Sequence, residues 1–187
     1  MASARGDSEG AVRAYFEAGD LAGIEARTDT LVRAGRVSEA LTLQRAVVAR
    51  LERDRTQADT LAQADFDDGV LEQTEAYRLP AGSRAYRAHE IASAAAYARA
   101  LALAPFDERY LLALGNQQLN LGDVAAAERT FERARDVDPT SAEPVEGLGD
   151  AAWRRHDDAA ARAYLARARA LDPTSAAVLS LERKLAR

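Results

Sequence analysis

Cysteine is absent from this sequence of 187 residues, which excludes disulfide bonds, thiolate metal sites and a cysteine nucleophile. Imidazole is scarce, because only His89 and His156 could act as a metal ligand or a general base. Basic residues are outnumbered, with 25 Lys and Arg against 30 Asp and Glu, and Lys184 is the single lysine. A nucleic-acid-binding protein normally carries a basic excess, so the net charge of −5 argues against DNA or RNA as a partner.

Long apolar runs are also missing. The first residues include Arg5, Asp7 and Glu9, and no apolar stretch of the kind found in a signal peptide follows them. The weakly polar stretch 91–106 contains Arg99 and is too short to cross a bilayer. We therefore expect no membrane insertion and a cytoplasmic location, with a periplasmic location left open if an export signal has been removed.

The sequence lacks the usual catalytic and metal-binding motifs. His89 and Glu90 are not followed by the second histidine that a zinc-protease helix requires. The run Asp65 to Gly69 is rich in carboxylates, but its glycine is one place too early for a calcium loop, and Ala76 stands where the last acidic ligand is needed. We interpret this run as a solvated helix end or turn. The sequence thus predicts no catalytic residue, no metal site, no cofactor and no enzymatic activity.

The sequence is rich in alanine and contains an internal repeat. Alanine, the strongest helix former, makes up about a quarter of the chain, which predicts an all-α protein. The run 137–142 (Val-Asp-Pro-Thr-Ser-Ala) recurs at 171–176 (Leu-Asp-Pro-Thr-Ser-Ala), an offset of 34 residues. Residues 108–141 and 142–175 align at this period without a gap. The marked positions are Leu111, Leu114, Gly115, Ala127, Phe131, Ala134 and Pro139 in the first repeat, and Val145, Leu148, Gly149, Ala161, Leu165, Ala168 and Pro173 in the second.

This pattern resembles the tetratricopeptide repeat, a helical hairpin in which small residues let two antiparallel helices pack closely. The resemblance implies an antiparallel helix-hairpin solenoid, closed by a capping helix at 176–187. Asp, Ser, Gly and Pro at the expected turns indicate where the helices begin and end. The expected helices are 108–121, 124–136, 142–155, 158–170 and 176–186.

The first half of the chain resembles the repeat only weakly. We divide the chain into a divergent helical region, 1–86, and a region of tetratricopeptide-like repeats, 87–187. A degenerate repeat is expected near 21–54, a long helix or helix pair within 52–78, and a break at 79–83, where Pro and Gly replace helix formers. Further helices are expected at about 8–18 and 86–104.

The resemblance also implies a function, because the first helix of each hairpin in this family lines a concave groove that binds a peptide or a partner segment. The acids in the first helix of the second repeat favour a basic or amphipathic segment, anchored on the only Trp. The groove residues implied are Arg109, Leu112, Asn116, Leu119 and Asn120 from the first repeat, and Glu143, Glu146, Asp150 and Trp153 from the second.

Each part of this groove hypothesis has an alternative. Glu143 could instead pair with Arg109, Glu146 and Asp150 could be solvated, and Trp153 could be part of the core. The function we favour is a non-catalytic adaptor or assembly factor that binds a protein or peptide. Two alternatives stay open: a structural subunit that self-associates into a homo-oligomer, and a regulatory domain of a larger enzyme.

Overall fold

The computed structural model describes residues 2–53 and 56–186 and confirms the all-α class. The chain divides into two compact units, Met1–Ala104 and Pro105–Arg187. The described residues form ten helices. The helices of the first unit are α1 (Ala2–Ala18), α2 (Leu21–Arg33), α3 (Val37–Leu51), α4 (Ala58–Ala76) and α5 (Arg84–Leu103). Those of the second unit are α6 (Glu108–Leu121), α7 (Val124–Val137), α8 (Glu143–Arg154), α9 (Asp158–Leu171) and α10 (Ala176–Leu185).

The first unit ends with a long helical hairpin formed by α4 and α5. Gly69 of α4 lets the ring of Tyr97 approach so closely that a Cβ at this glycine would lie 2.5 Å from the ring. One turn earlier on α5, the Ser93 hydroxyl donates a 2.8 Å hydrogen bond to the Gly69 carbonyl. Because α5 packs along α4 in this way, both helices belong to the first compact unit, which ends at Ala104. The division of the sequence pattern at 86/87 stays a prediction.

Two buried aspartates show that the interpretation of 65–69 as a solvated helix end or turn is wrong. The run lies within α4, and Asp65 and Asp68 are buried. Arg99 of α5 bonds to both carboxylates, with its Nε 2.6 Å from Asp65 Oδ1 and its Nη2 3.1 Å from Asp68 Oδ2. Burial raises the pKa of both aspartates, and the pairing with Arg99 opposes this effect.

A third buried acid, Glu72, links α4 to both neighbouring helices. Its side chain is 1% exposed. Arg45 of α3 forms an ion pair with one carboxylate oxygen, and Nδ1 of His89 lies 2.6 Å from the other. Buried polar side chains of α4 therefore link this helix to α3 and α5.

The second unit is built on close contacts between small and large side chains. Phe131 of α7 is 1% exposed and lies against Gly115 of α6 and Gly147 of α8. A Cβ at Gly115 would lie 2.7 Å from the Phe131 ring, and one at Gly147 would lie 2.6 Å from it. Each helix packs on the next, and α8 also contacts both α6 and α10, which is the layered stacking expected of a solenoid.

The two hairpin turns of this unit have the same geometry but different residues. The side chains of Asp123 and Asp157 cap α7 and α9 by accepting backbone hydrogen bonds. Just before these caps, Gly122 and His156 adopt left-handed backbone conformations, with φ of 84° and 61°. Glycine accepts this conformation readily, whereas the Cβ of histidine makes it unfavourable.

Candidate functional site

The candidate site is a cleft of about 450 Å³ in the second unit. One face of each of α6, α8 and α10 contributes to its walls, so every helix that lines it belongs to the same layer of the solenoid. Six of the nine residues expected in the groove line this cleft: Leu112, Asn116, Leu119, Glu143, Glu146 and Asp150.

The other three expected residues do not line it. Arg109 bonds to Asp107, the residue that caps α6, with its Nη2 3.0 Å from Asp107 Oδ2. Asn120 is exposed on α6. Trp153 is half-buried near the end of α8, and the ammonium of Lys184 lies 4.9 Å from the centre of its ring, a cation–π contact. Trp153 is therefore neither fully buried core nor part of the cleft wall.

Helix α10 supplies the third wall, which we did not expect from the sequence because we assigned this helix only a capping role. The period of 34 residues is the signal in the sequence that predicts this third wall. Lys184 stands one period after Asp150, which stands one period after Asn116, and all three line the cleft. The helix therefore occupies the place of the first helix of a further repeat. The wall residues from this part of the chain are Ser175, Ala176, Ala177, Ser180, Leu181 and Lys184.

Leucine side chains provide the apolar part of the cleft. Leu119 and Leu181 are 2% and 3% exposed, and Leu112 is half-buried beside them on α6. Leu181 also packs against Gly149, where a Cβ would lie 2.6 Å from a Leu181 methyl group. The apolar surface of the cleft is thus continuous with the core and is held rigidly by it.

Glu146 lies in the wall of the cleft and is buried rather than solvated, with 8% of the residue exposed. Its Oε1 is shielded from water and has no hydrogen-bond partner among the described residues. Burial raises the pKa of this carboxyl, and the negative charges of Glu143 and Asp172 add to the effect. A hydrogen bond with the Ser175 hydroxyl opposes it.

The two other acids of the cleft differ from Glu146 and from each other. Asp150 is compensated, because Lys184 forms an ion pair with one of its oxygens and Nε of Arg154 lies 3.3 Å from the other. Glu143 is exposed and forms no ion pair with any described residue. The alternative pairing of Glu143 with Arg109 does not occur, and Arg109 forms its ion pair with Asp107.

Two further properties of the described residues bear on function. They contain no group of three or more His, Asp or Glu side chains arranged to hold a metal ion. A membrane-spanning helix is likewise not found over 2–53 and 56–186, since each helix there is too short or too polar.

Comparisons with known proteins agree with the architecture. A family model described as a tetratricopeptide repeat matches residues 118–185. The solved structure of the first TPR of Spaghetti (RPAP3), bound to the HSP90 peptide SRMEEVD, is 12% identical, covers 65% of this chain and 92% of its own, and has a TM-score of 0.50. TTC0263, a thermophilic TPR protein of Thermus thermophilus, is 17% identical, covers 88% of this chain and 96% of its own, and has a TM-score of 0.52. None of the curated proteins matches.

The hairpin stacking and the cleft place the chain in the class of helical-repeat proteins. The particular repeat is the tetratricopeptide repeat, whose family model matches residues 118–185 within the second unit, as the residues at the period of 34 led us to expect. At these identities the likeness to solved structures shows the fold alone.

Proposed function

We propose that this chain is a non-catalytic interaction module, an adaptor or assembly factor, that binds a segment of a partner protein in the cleft of its second unit. The observation that carries the proposal is the composition of the cleft. It combines the partly exposed Leu112, backed by the buried Leu119 and Leu181, with carboxylates that the chain itself does not neutralise. An apolar pocket with a few fixed polar groups is the usual form of a site that binds with specificity.

The Spaghetti structure supports a peptide as the form of the ligand, because that protein holds the peptide SRMEEVD on the same type of fold. The charge of that peptide does not suit the cleft described above. Its last four residues include three acids, whereas the acids Glu143 and Glu146 already face the cleft without a basic partner. We therefore expect a partner segment of a different, non-acidic kind.

A photo-crosslinking experiment tests the proposal. A benzophenone amino acid replaces Asn116, an exposed residue in the wall of the cleft, or Arg129, a residue of α7 outside it. Both variants are irradiated in extracts of the cells that produce the protein. We expect a discrete protein adduct at position 116 and not at 129, with the linkage mapped by mass spectrometry to one segment of the partner. Adducts at 129 alone, or none at either position, would contradict the proposal.

A structural, self-associating subunit is the second candidate, and exposed apolar side chains of the first unit favour it. Tyr77 and Ile91 are 65% and 55% exposed, which is high for large hydrophobic residues. Sedimentation equilibrium distinguishes the two candidates. A monomer over a wide range of concentration agrees with the adaptor, whereas a dimer that persists on dilution agrees with the structural subunit.

A further inference from the structure

The charge balance of the cleft in the second unit is incomplete at one place. Of its three acids, Asp150 is paired twice, by Lys184 and Arg154. Glu143 and Glu146 stand three residues apart on α8 and have no basic partner among the described residues. A spacing of three residues puts two side chains on the same face of a helix. The cleft therefore carries two neighbouring, uncompensated carboxylates.

Burial distinguishes Glu146 from an ordinary surface acid. Surface carboxylates are solvated by water and need no partner, but Glu146 is 8% exposed and its Oε1 is shielded from solvent. A buried acceptor without a hydrogen bond is unfavourable, and more so when it is charged. A donor that enters the cleft and bonds to this oxygen would remove that cost. The free protein therefore offers a site for a cationic donor.

We propose that Glu146, with Glu143 beside it, recognises an arginine side chain of the partner segment. The inference rests on the proposed function, since it names the chemistry that the same cleft would select. The apolar stem of the arginine would lie along Leu112 and Leu181, which line the cleft with Glu146. Its guanidinium would donate to the unpartnered oxygen.

Arginine fits this site better than lysine for two reasons. A guanidinium carries several N–H donors in one plane and can bond to two carboxylates at once, as the pair of Glu146 and Glu143 requires. It is also more weakly hydrated than an ammonium, so its transfer from water into the cleft costs less. The same acids would repel an acidic segment, which gives the cleft selectivity against such partners.

A structural role for Glu146 must be distinguished from recognition. The Ser175 hydroxyl, which caps α10, bonds to the Glu146 carboxyl, so loss of the side chain could disturb α10. Glu146→Gln keeps the size and one acceptor oxygen for Ser175, removes the charge and replaces the second oxygen by an amide NH2 group. The matched control is Glu132→Gln, which removes one exposed carboxylate from α7, outside the cleft.

The experiment uses a phage-displayed library of short random peptides, selected against the full chain. Selected peptides are synthesised with each arginine kept or replaced by citrulline, its neutral isostere, and their affinities are measured by calorimetry for the parent chain and both variants. We expect selected peptides to contain arginine. Citrulline replacement and Glu146→Gln should each weaken binding about ten- to hundredfold, and they should not weaken it further in combination. Glu132→Gln should leave binding unchanged.

The remaining outcomes overturn the inference in different ways. Two results would overturn arginine recognition and leave the proposed function standing. One is a set of selected peptides that bind in the cleft but contain no basic residue. The other is equal affinity of the selected peptides for Glu146→Gln and the parent chain. If peptides in which lysine replaces arginine bind with the same affinity as the arginine peptides, the argument from guanidinium geometry is overturned. The Asn116→Arg substitution places a bulky side chain in the cleft and should weaken the binding of peptides that occupy it. If it weakens the binding of none of the selected peptides, or if no peptide is selected, both proposals are overturned.

Discussion

Both units of this protein use close packing of a glycine against a large side chain, at Gly69 and Tyr97 in the first unit, but among the described residues only the first adds ion pairs to several buried aspartate and glutamate side chains. In the first unit, α4 buries the carboxylates of Asp65, Asp68 and Glu72 and meets them with cationic side chains of α3 and α5. In the second unit, glycine and alanine positions let Phe131 and Leu181 pack between helices. The comparison explains why one half of the sequence is periodic. Close packing fixes residue size at set positions, whereas an ion pair can be placed wherever two helices touch.

The largest effect should come from removing the cation that serves two buried acids. Arg99→Ala leaves Asp65 and Asp68 without their shared partner, and breaking such a buried pairing costs about 3 kcal/mol at neutral pH. The pKa of each aspartate is already raised in the folded chain, so acidification protonates them and the deficit should shrink. Urea denaturation at neutral and mildly acidic pH measures both effects.

Arg87→Ala is the matched control, since it removes an exposed arginine from the same helix. It should change the free energy of unfolding by no more than about 0.5 kcal/mol at either pH. Equal losses for Arg99→Ala and Arg87→Ala would show that the ion pairs do not hold the first unit together.

The stability of the second unit should depend on the size of the side chains at its closest helix contacts. Gly147→Ala places a Cβ 2.6 Å from the Phe131 ring, so we expect a loss of about 2 kcal/mol despite the better helix propensity of alanine. Gly10→Ala in α1 is the control, because a Cβ there meets nothing within 4 Å. It should stabilise the chain slightly. A Gly147→Ala variant as stable as the parent would contradict the packing account.

Glu146→Gln should raise the free energy of unfolding, whereas Arg99→Ala and Gly147→Ala should lower it. The pKa of Glu146 is raised in the folded state, so the ionised carboxyl opposes folding, and stability falls as the pH rises from the unfolded toward the folded pKa. The neutral amide removes this dependence and should raise the free energy of unfolding by up to about 1 kcal/mol at neutral pH, with no gain in acid. Thermal melts at the two pH values measure the difference. A destabilised Glu146→Gln would indicate a structural role.

The smallest effect concerns the turn before α9. His156 has a φ of 61°, so His156→Gly should stabilise the chain by about 0.5–1 kcal/mol. Gly122→Ala, at the equivalent turn with φ of 84°, should destabilise it by about 1 kcal/mol. Chemical denaturation of the pair checks both signs. Shifts in the same direction for both variants would contradict the equivalence of the two turns.

The period of 34 residues predicted most of what the second unit contains. It gave the five helices to within a few residues, because each turn carries its own Asp, Ser or Gly. The resemblance to the tetratricopeptide repeat implied nine groove residues, and six of them line the cleft. It did not show that Lys184 would engage both Asp150 and Trp153, which depends on how α10 packs against α8.

The first unit was harder to interpret for a physical reason. Sequence rules assign charged residues to the surface, and on that basis Asp65 and Asp68 indicated a solvated segment. Their partner Arg99 lies on the next helix, at a distance in sequence that no local motif specifies. The predicted division at 86/87 follows the repeat pattern, which begins again within α5, whereas the compact unit that contains α4 also contains α5.

Amide hydrogen exchange of the full chain, with and without a library-selected peptide, tests the central claim most directly. If partner segments bind in the cleft, the peptide should slow exchange in α6, α8 and α10, which line it, and leave α7, α9 and the first unit unchanged. Protection confined to the first unit, or to α7 and α9, would contradict the account.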